Sequence, residues 1–159
     1  MNKINMLKSV YFLYTQVPKE QFHMAWWRNN YKDKKADFKN PICNTSACVG
    51  GWLTSIVPEK KILTILDGTI LDGTIDFSNT IRSMLGLSDK QMQFLTAMRW
   101  HNIDNTLEGA CKRFLYLLET KDPYYGITSI HPYTKIDIVS TYNRLKAKYE
   151  KSWKLQTRS

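Results

Sequence analysis

Apolar residues recur at helical spacing through the second half of the chain and lose that regularity in the first half. The clearest stretch is the last one. Ile138, Tyr142, Leu145, Tyr149 and Trp153 follow steps of four, three, four and four, the repeat of one face of an α-helix. Arg144, Lys148, Lys151 and Lys154 fall on the opposite face, and neither Gly nor Pro interrupts. The pattern predicts a strongly basic amphipathic helix over about residues 136–156. Upstream, Leu107, Cys111, Phe114 and Leu118 share a face of a helix that begins around Asp104 and ends at Asp122-Pro123 and Gly126. Met92, Leu95 and Met98 repeat every three residues with Phe94 beside them, behind a capping box of Ser88 and Gln91, toward an end near His101. Ser78 is placed to cap a short helix over 79–85 that Gly86 stops.

The first half is harder to read. Residues 3–16 are apolar enough for the core but fit a strand or a helix. Pro18 opens a short helix, because its missing donor would be unbonded there anyway, and Phe22, Trp26 and Trp27 group loosely on one side. Residues 28–40 are polar and aperiodic, which predicts an exposed loop. Asn44 or Thr45 then caps a helix running toward Ile56, with Cys48, Trp52 and Ile56 facing inward. Gly50 and Gly51 cost about 1 kcal/mol each inside a helix, so close packing or a break is expected there.

Residues 61–66 have strand composition, and Leu-Asp-Gly-Thr-Ile occurs at 66–70 and again at 71–75. Each Asp-Gly is a hairpin turn signal, and two turns five residues apart predict a compact double-turn ribbon. The expected fold is therefore α+β and mainly α-helical: one compact domain over 1–159 with a small β-ribbon near residues 61–76.

Length and composition agree with a single domain. The chain has 159 residues, 43% of them apolar and 23% charged, too apolar for a disordered chain. Charge changes the picture more. The formal net charge is +9, and it is uneven: residues 1–60 carry net +5, residues 61–130 net −1 and residues 131–159 net +5. A near-neutral middle between basic ends points to a polyanion-facing surface built from the termini. Nowhere do about eighteen apolar residues occur together, so a cytoplasmic protein without a membrane partner is expected. Cys43, Cys48 and Cys111 cannot all pair within one chain, which favours free thiols in a reducing compartment, with one disulfide plus one thiol as the alternative.

Chemistry is sparsely signalled. Cys43-x4-Cys48 fits neither zinc nor C-x-x-C redox spacing, and Asp67, Asp72 and Asp76 do not match a calcium loop, so no metal and no cofactor is expected. Cys43 at a helix start, with His23 or His101 as base, would be a thiol nucleophile. Asp104 and Glu108 lie one turn apart and would share a face for proton transfer, though Asp104 also suits a cap. No P-loop, Rossmann glycine pattern, HExxH or nucleophile elbow is present. Tyr124 through Tyr133 reads as an ordered aromatic loop. Trp52 and Trp153 belong to apolar faces, whereas Trp27, beside Arg28, is the best exposed stacking candidate.

The stretch Cys43-Asn-Thr-Ser-Ala-Cys-Val-Gly-Gly-Trp52 resembles the Cys-x-Thr-x-x-Cys-x-x-Gly-Trp segment of a loose set of small, mostly uncharacterised phage and bacterial proteins. Met24 with Trp26 or Trp27, and Leu85-Gly-Leu-Ser88 before an amphipathic helix, extend the resemblance over residues 22–100. Asn44 stands where glycine is commoner in that set. The resemblance implies a phage or mobile-element context, in which small basic proteins bind nucleic acid or a host protein, and the host cytoplasm as location.

The expectation is a non-enzymatic accessory protein that binds nucleic acid or a nucleoprotein. Arg144, Lys148, Lys151 and Lys154 would contact phosphates, assisted by Lys32, Lys34, Lys35 and Trp27. One alternative is a viral-type inhibitor of an acidic host defence protein. The other is a small cysteine- or carboxylate-dependent hydrolase.

Overall fold

The described residues carry six α-helices: α1 (Lys3–Gln16), α2 (Val49–Leu53), α3 (Thr74–Leu85), α4 (Asp89–Thr96), α5 (Leu107–Thr120) and α6 (Ile138–Gln156). Short 3-10 turns at Lys19–Gln21 and Pro132–Lys135 accompany them. The computed structural model describes residues 1–22, 29–30, 45–46, 49–53, 74–96, 104–124 and 131–156; for 29–30, 45–46, 74–78, 80 and 152–156 it describes the backbone alone.

The α+β expectation is corrected: the described residues are nearly all helical. The residues expected to close a β-ribbon near 61–76 instead open α3, since Thr74, Ile75 and Asp76 are helical; residues 61–73 lie outside the described ones. Phe77, Ile81 and Leu85 stand at i, i+4 and i+8, a helical repeat that reaches back past Ser78. Ser78 is therefore inside the helix instead of capping it. Extended pairing among the described residues is limited to a bridge at Phe22 and a two-residue antiparallel pair, Asn29 opposite Ser46 and Asn30 opposite Thr45. Thr45 thus belongs to that pair, and the helix expected after it begins only at Val49.

Helix α5 is the centre. Leu107, Gly109, Ala110, Cys111, Arg113, Phe114, Leu115, Leu117 and Leu118 are all buried, and at ~100° per residue they cover about two thirds of the helix circumference. A helix with that pattern needs neighbours around it. Helices α1, α4 and α6 pack against it. Its start is fixed locally. The Thr106 hydroxyl accepts from the Gly109 N–H at 3.0 Å, and the Asp104 carboxylate accepts from the Thr106 N–H and hydroxyl at 3.0 and 2.6 Å. Asp104 folds so closely over the first turn that a Cβ on Gly109 would sit 2.4 Å from its carbonyl oxygen. Lys121, with φ of 64°, ends the helix in the left-handed region.

The Ser88–Gln91 capping box forms as the spacing predicts. The Ser88 N–H donates to Gln91 Oε1 at 3.0 Å and the Gln91 N–H donates to Ser88 Oγ at 3.2 Å. Gln91 Nε2 also donates to the Lys121 carbonyl at 2.7 Å, so the same side chain ties the start of α4 to the end of α5.

Helix α1 resolves the strand-or-helix ambiguity of residues 3–16. Met6, Leu7, Val10 and Leu13 form its buried face, at helical spacing. Its N-terminus docks on the end of α3. The Asn2 N–H donates to the Leu85 carbonyl at 2.7 Å and Asn5 Nδ2 donates to the Met84 carbonyl at 2.8 Å. Gly86, with φ of +61°, makes this contact possible, because a Cβ there would lie 2.9 Å from the Asn2 backbone nitrogen. Gly86→Ala is therefore expected to lower stability by about 2 kcal/mol, measured by urea unfolding. A loss below about 0.5 kcal/mol would contradict the close approach.

Candidate nucleic-acid interface

Helix α6 sits as its sequence pattern requires. Ile138, Leu145 and Tyr149 are buried, Tyr142 is partly buried, and Arg144, Lys148 and Lys151 are exposed. Asp137 accepts from the Ser140 N–H at 2.7 Å and caps the first turn. The Tyr149 hydroxyl donates to the Leu118 carbonyl at 3.2 Å, anchoring α6 to the last turn of α5. The side chains of Trp153 and Lys154 lie outside the described residues. So do Lys32, Lys34, Lys35 and Trp27, and Cys43, Cys48, His23 and His101.

The cations on this surface are not equivalent. The Arg144 guanidinium is engaged by the Glu119 carboxylate of α5, and Lys146 pairs with Glu150 at 3.8 Å. Both pairs are locally neutral. Lys148 Nζ stands 5.5 Å from the centre of the Tyr149 ring, and Lys3 Nζ of α1 stands 4.7 Å from the same ring, both at cation–π distance. The antiparallel packing of α1 on α6 thereby brings the two basic ends of the chain together around Tyr149.

Farther along the same seam the surface turns aromatic. An open groove of about 220 Å³ lies between the C-terminal half of α1 and the N-terminal half of α6, lined by Tyr11, Tyr14, Val139 and Tyr142 among others. Tyr11 and Tyr14 are 51% and 42% exposed, and the Tyr11 and Tyr142 rings lie 6.4 Å apart, tilted by 31°. Burial pushes the Tyr142 phenol up from its ordinary value, so it stays protonated at neutral pH. Sequence reasoning missed Tyr11 and Tyr14. Their signal is the i, i+3 spacing with each other and with Lys8, which has meaning only once residues 3–16 are known to be a helix.

The enzymatic candidates separate. Asp104 is occupied as the turn before α5, and Glu108 forms an exposed ion pair with Lys19 at 2.8 Å. Hydrogen bonding and charge from Lys19 hold the Glu108 carboxyl below its usual range. The pair is screened by water, and its small contribution fades as acid protonates Glu108. Cys111 is a free thiol sealed in the core, and burial pushes its pKa up to about 12. No group of three metal-ligating side chains occurs among the described residues. No described helix is long and apolar enough to cross a membrane.

One core feature escaped the sequence pattern. Arg113, on α5, is fully buried, with Nη1 donating to the Asp104 carbonyl while Nε and Nη2 have no hydrogen-bond partner among the described residues. Its guanidinium faces the Tyr133 ring at 6.0 Å, and Tyr133 stacks on His131 at 5.2 Å and meets Phe94 and Tyr116 edge-on. Burial pushes the Arg113 pKa down from its ordinary value. Tyr124 also meets His131 edge-on at 5.8 Å, so the expected aromatic segment is ordered at both its described ends.

Two measurements check these environments. In a Cys43→Ser/Cys48→Ser variant, Cys111 is expected to resist iodoacetamide with no rise in rate between about pH 7 and 9, and to react on unfolding. Arg113→Met is expected to leave stability unchanged or raise it by about 1 kcal/mol in urea unfolding, because it removes an incompletely bonded buried charge. A loss above about 2 kcal/mol would show that the single bond to Asp104 outweighs that charge. In comparison with known proteins, no family model, no curated protein and no solved structure matches this chain.

Proposed function

We propose that this protein binds nucleic acid through the lysine-bearing end of the α1–α6 seam. The observation that carries the reading is the meeting of Lys3 and Lys148 around one tyrosine ring, which concentrates charge from both ends of the sequence. Lys151 is exposed one turn beyond Lys148. Lysines arranged this way neutralise phosphates and release counterions, giving affinity that is sequence-independent and strongly dependent on salt. Arg144 is a weaker contact in this reading than its sequence position implies, because Glu119 already holds it. Lys154, Lys32, Lys34, Lys35 and Trp27 extend the proposed surface on the strength of sequence alone. The resemblance to small phage proteins supports a non-enzymatic accessory role of this kind.

Binding to short DNA and RNA oligonucleotides, titrated against salt, tests the reading. Lys148→Glu/Lys151→Glu is expected to weaken binding at least about tenfold at low salt and to lower the slope of log K against log salt by about 2. Arg144→Ala is expected to change either quantity less. Binding that is absent or insensitive to salt would sink the proposal. A complex that survives nuclease digestion of a host lysate would favour an acidic protein partner instead.

A further inference from the structure

We infer that the tyrosine groove between α1 and α6 seats unpaired bases, so that the nucleic acid held by this seam is single-stranded. The inference rests on the nucleic-acid reading above and names its substrate class. Three features of the groove support it.

The first is the exposure of flat aromatic surface. Tyr11 and Tyr14 leave about half of their area in solvent, although Val10 and Leu13 beside them already supply the buried face of α1. A phenol ring offers a base a π-face regardless of base identity. The second is continuity with the cations. Tyr11 and Tyr142 mark one level of the antiparallel seam, and Lys3 and Tyr149 mark another. From Tyr11 to Lys3 along α1 is about 12 Å, at 1.5 Å per residue. Lys8, exposed on α1, lies between those levels. A strand whose bases rest on the tyrosines thus places its backbone over lysines. The third is the absence of repelling charge. The groove is lined almost wholly by apolar surface, and no acidic side chain lines it. Groove size agrees as well, since about 220 Å³ suits flat rings better than a bulky ligand.

Duplex DNA presents no unstacked base to such a groove, so single and double strands should separate experimentally. The probes are a fluorescent dT15, an abasic oligonucleotide of the same length and a 15-base-pair duplex, read by anisotropy at fixed salt. Wild-type protein is expected to bind dT15 about tenfold more tightly than the abasic strand. Tyr11→Ala/Tyr14→Ala is expected to erase that preference while leaving abasic and duplex affinities unchanged. Tyr11→Phe/Tyr14→Phe is expected to keep it, which separates stacking from any role of the hydroxyls. Lys148→Glu/Lys151→Glu should weaken all three probes together.

The inference is overturned if the alanine variant binds dT15 as wild type does, or loses all three probes equally. In the first case salt-dependent binding by the lysines would stand without it. A salt-insensitive protein, or one that binds none of the probes, would remove both readings. A self-association that disappears in the alanine variant, with dT15 affinity intact, would assign the groove to a second copy of the chain and also overturn the inference.

Discussion

The fold depends on the burial of helix α5 around about two thirds of its circumference. A helix whose side chains at Leu107, Ala110, Arg113, Leu115 and Leu117 all leave water cannot lie flat on a surface. Its neighbours are then arranged by what it requires. Helix α4 is pinned to its end through Gln91, α6 through the Tyr149 hydroxyl, and α1 packs along it as well. The proposed binding surface follows from this, because α1 and α6 become neighbours by packing on the same central helix.

Legibility in the sequence tracked how local each signal was. Helix α6, α5 and the Ser88–Gln91 box could be read because their evidence lies within a few turns: a regular apolar repeat, or two side chains three residues apart. The ribbon expectation failed for a physical reason. Asp-Gly is a turn signal wherever it stands, including just before a helix, and the Phe77–Ile81–Leu85 repeat competes with it. The bond pattern around Gly86 was half legible. Its role as a stop was visible, but the approach of Asn2 across the chain was not.

The interface was partly legible too. The net charge of the two ends pointed toward a basic surface, and of its proposed residues α6 carries Arg144, Lys148 and Lys151 exposed. What a helical projection hides is the neighbour of each cation. Arg144 and Lys148 look alike on it, yet Arg144 meets Glu119 of α5 and Lys148 lies beside an aromatic ring. Tyr11 and Tyr14 were hidden for a different reason. Their exposure depends on the phase of α1, and their partner Tyr142 is more than a hundred residues away. Arg113 was hidden by its company, since a cation inside an apolar repeat is read as a surface residue until its burial is seen.

The antiparallel seam also has a consequence for assembly in time. Lys3 and Lys148 stand at opposite ends of the chain, and the contact between their helices is among the least local in the fold. During synthesis α1 emerges well before its partner α6. The lysine pair around Tyr149 and the tyrosine floor beside it therefore do not exist until α6 has docked. A nascent or truncated chain presents basic and aromatic residues separately, and the combined surface is a property of the completed fold alone.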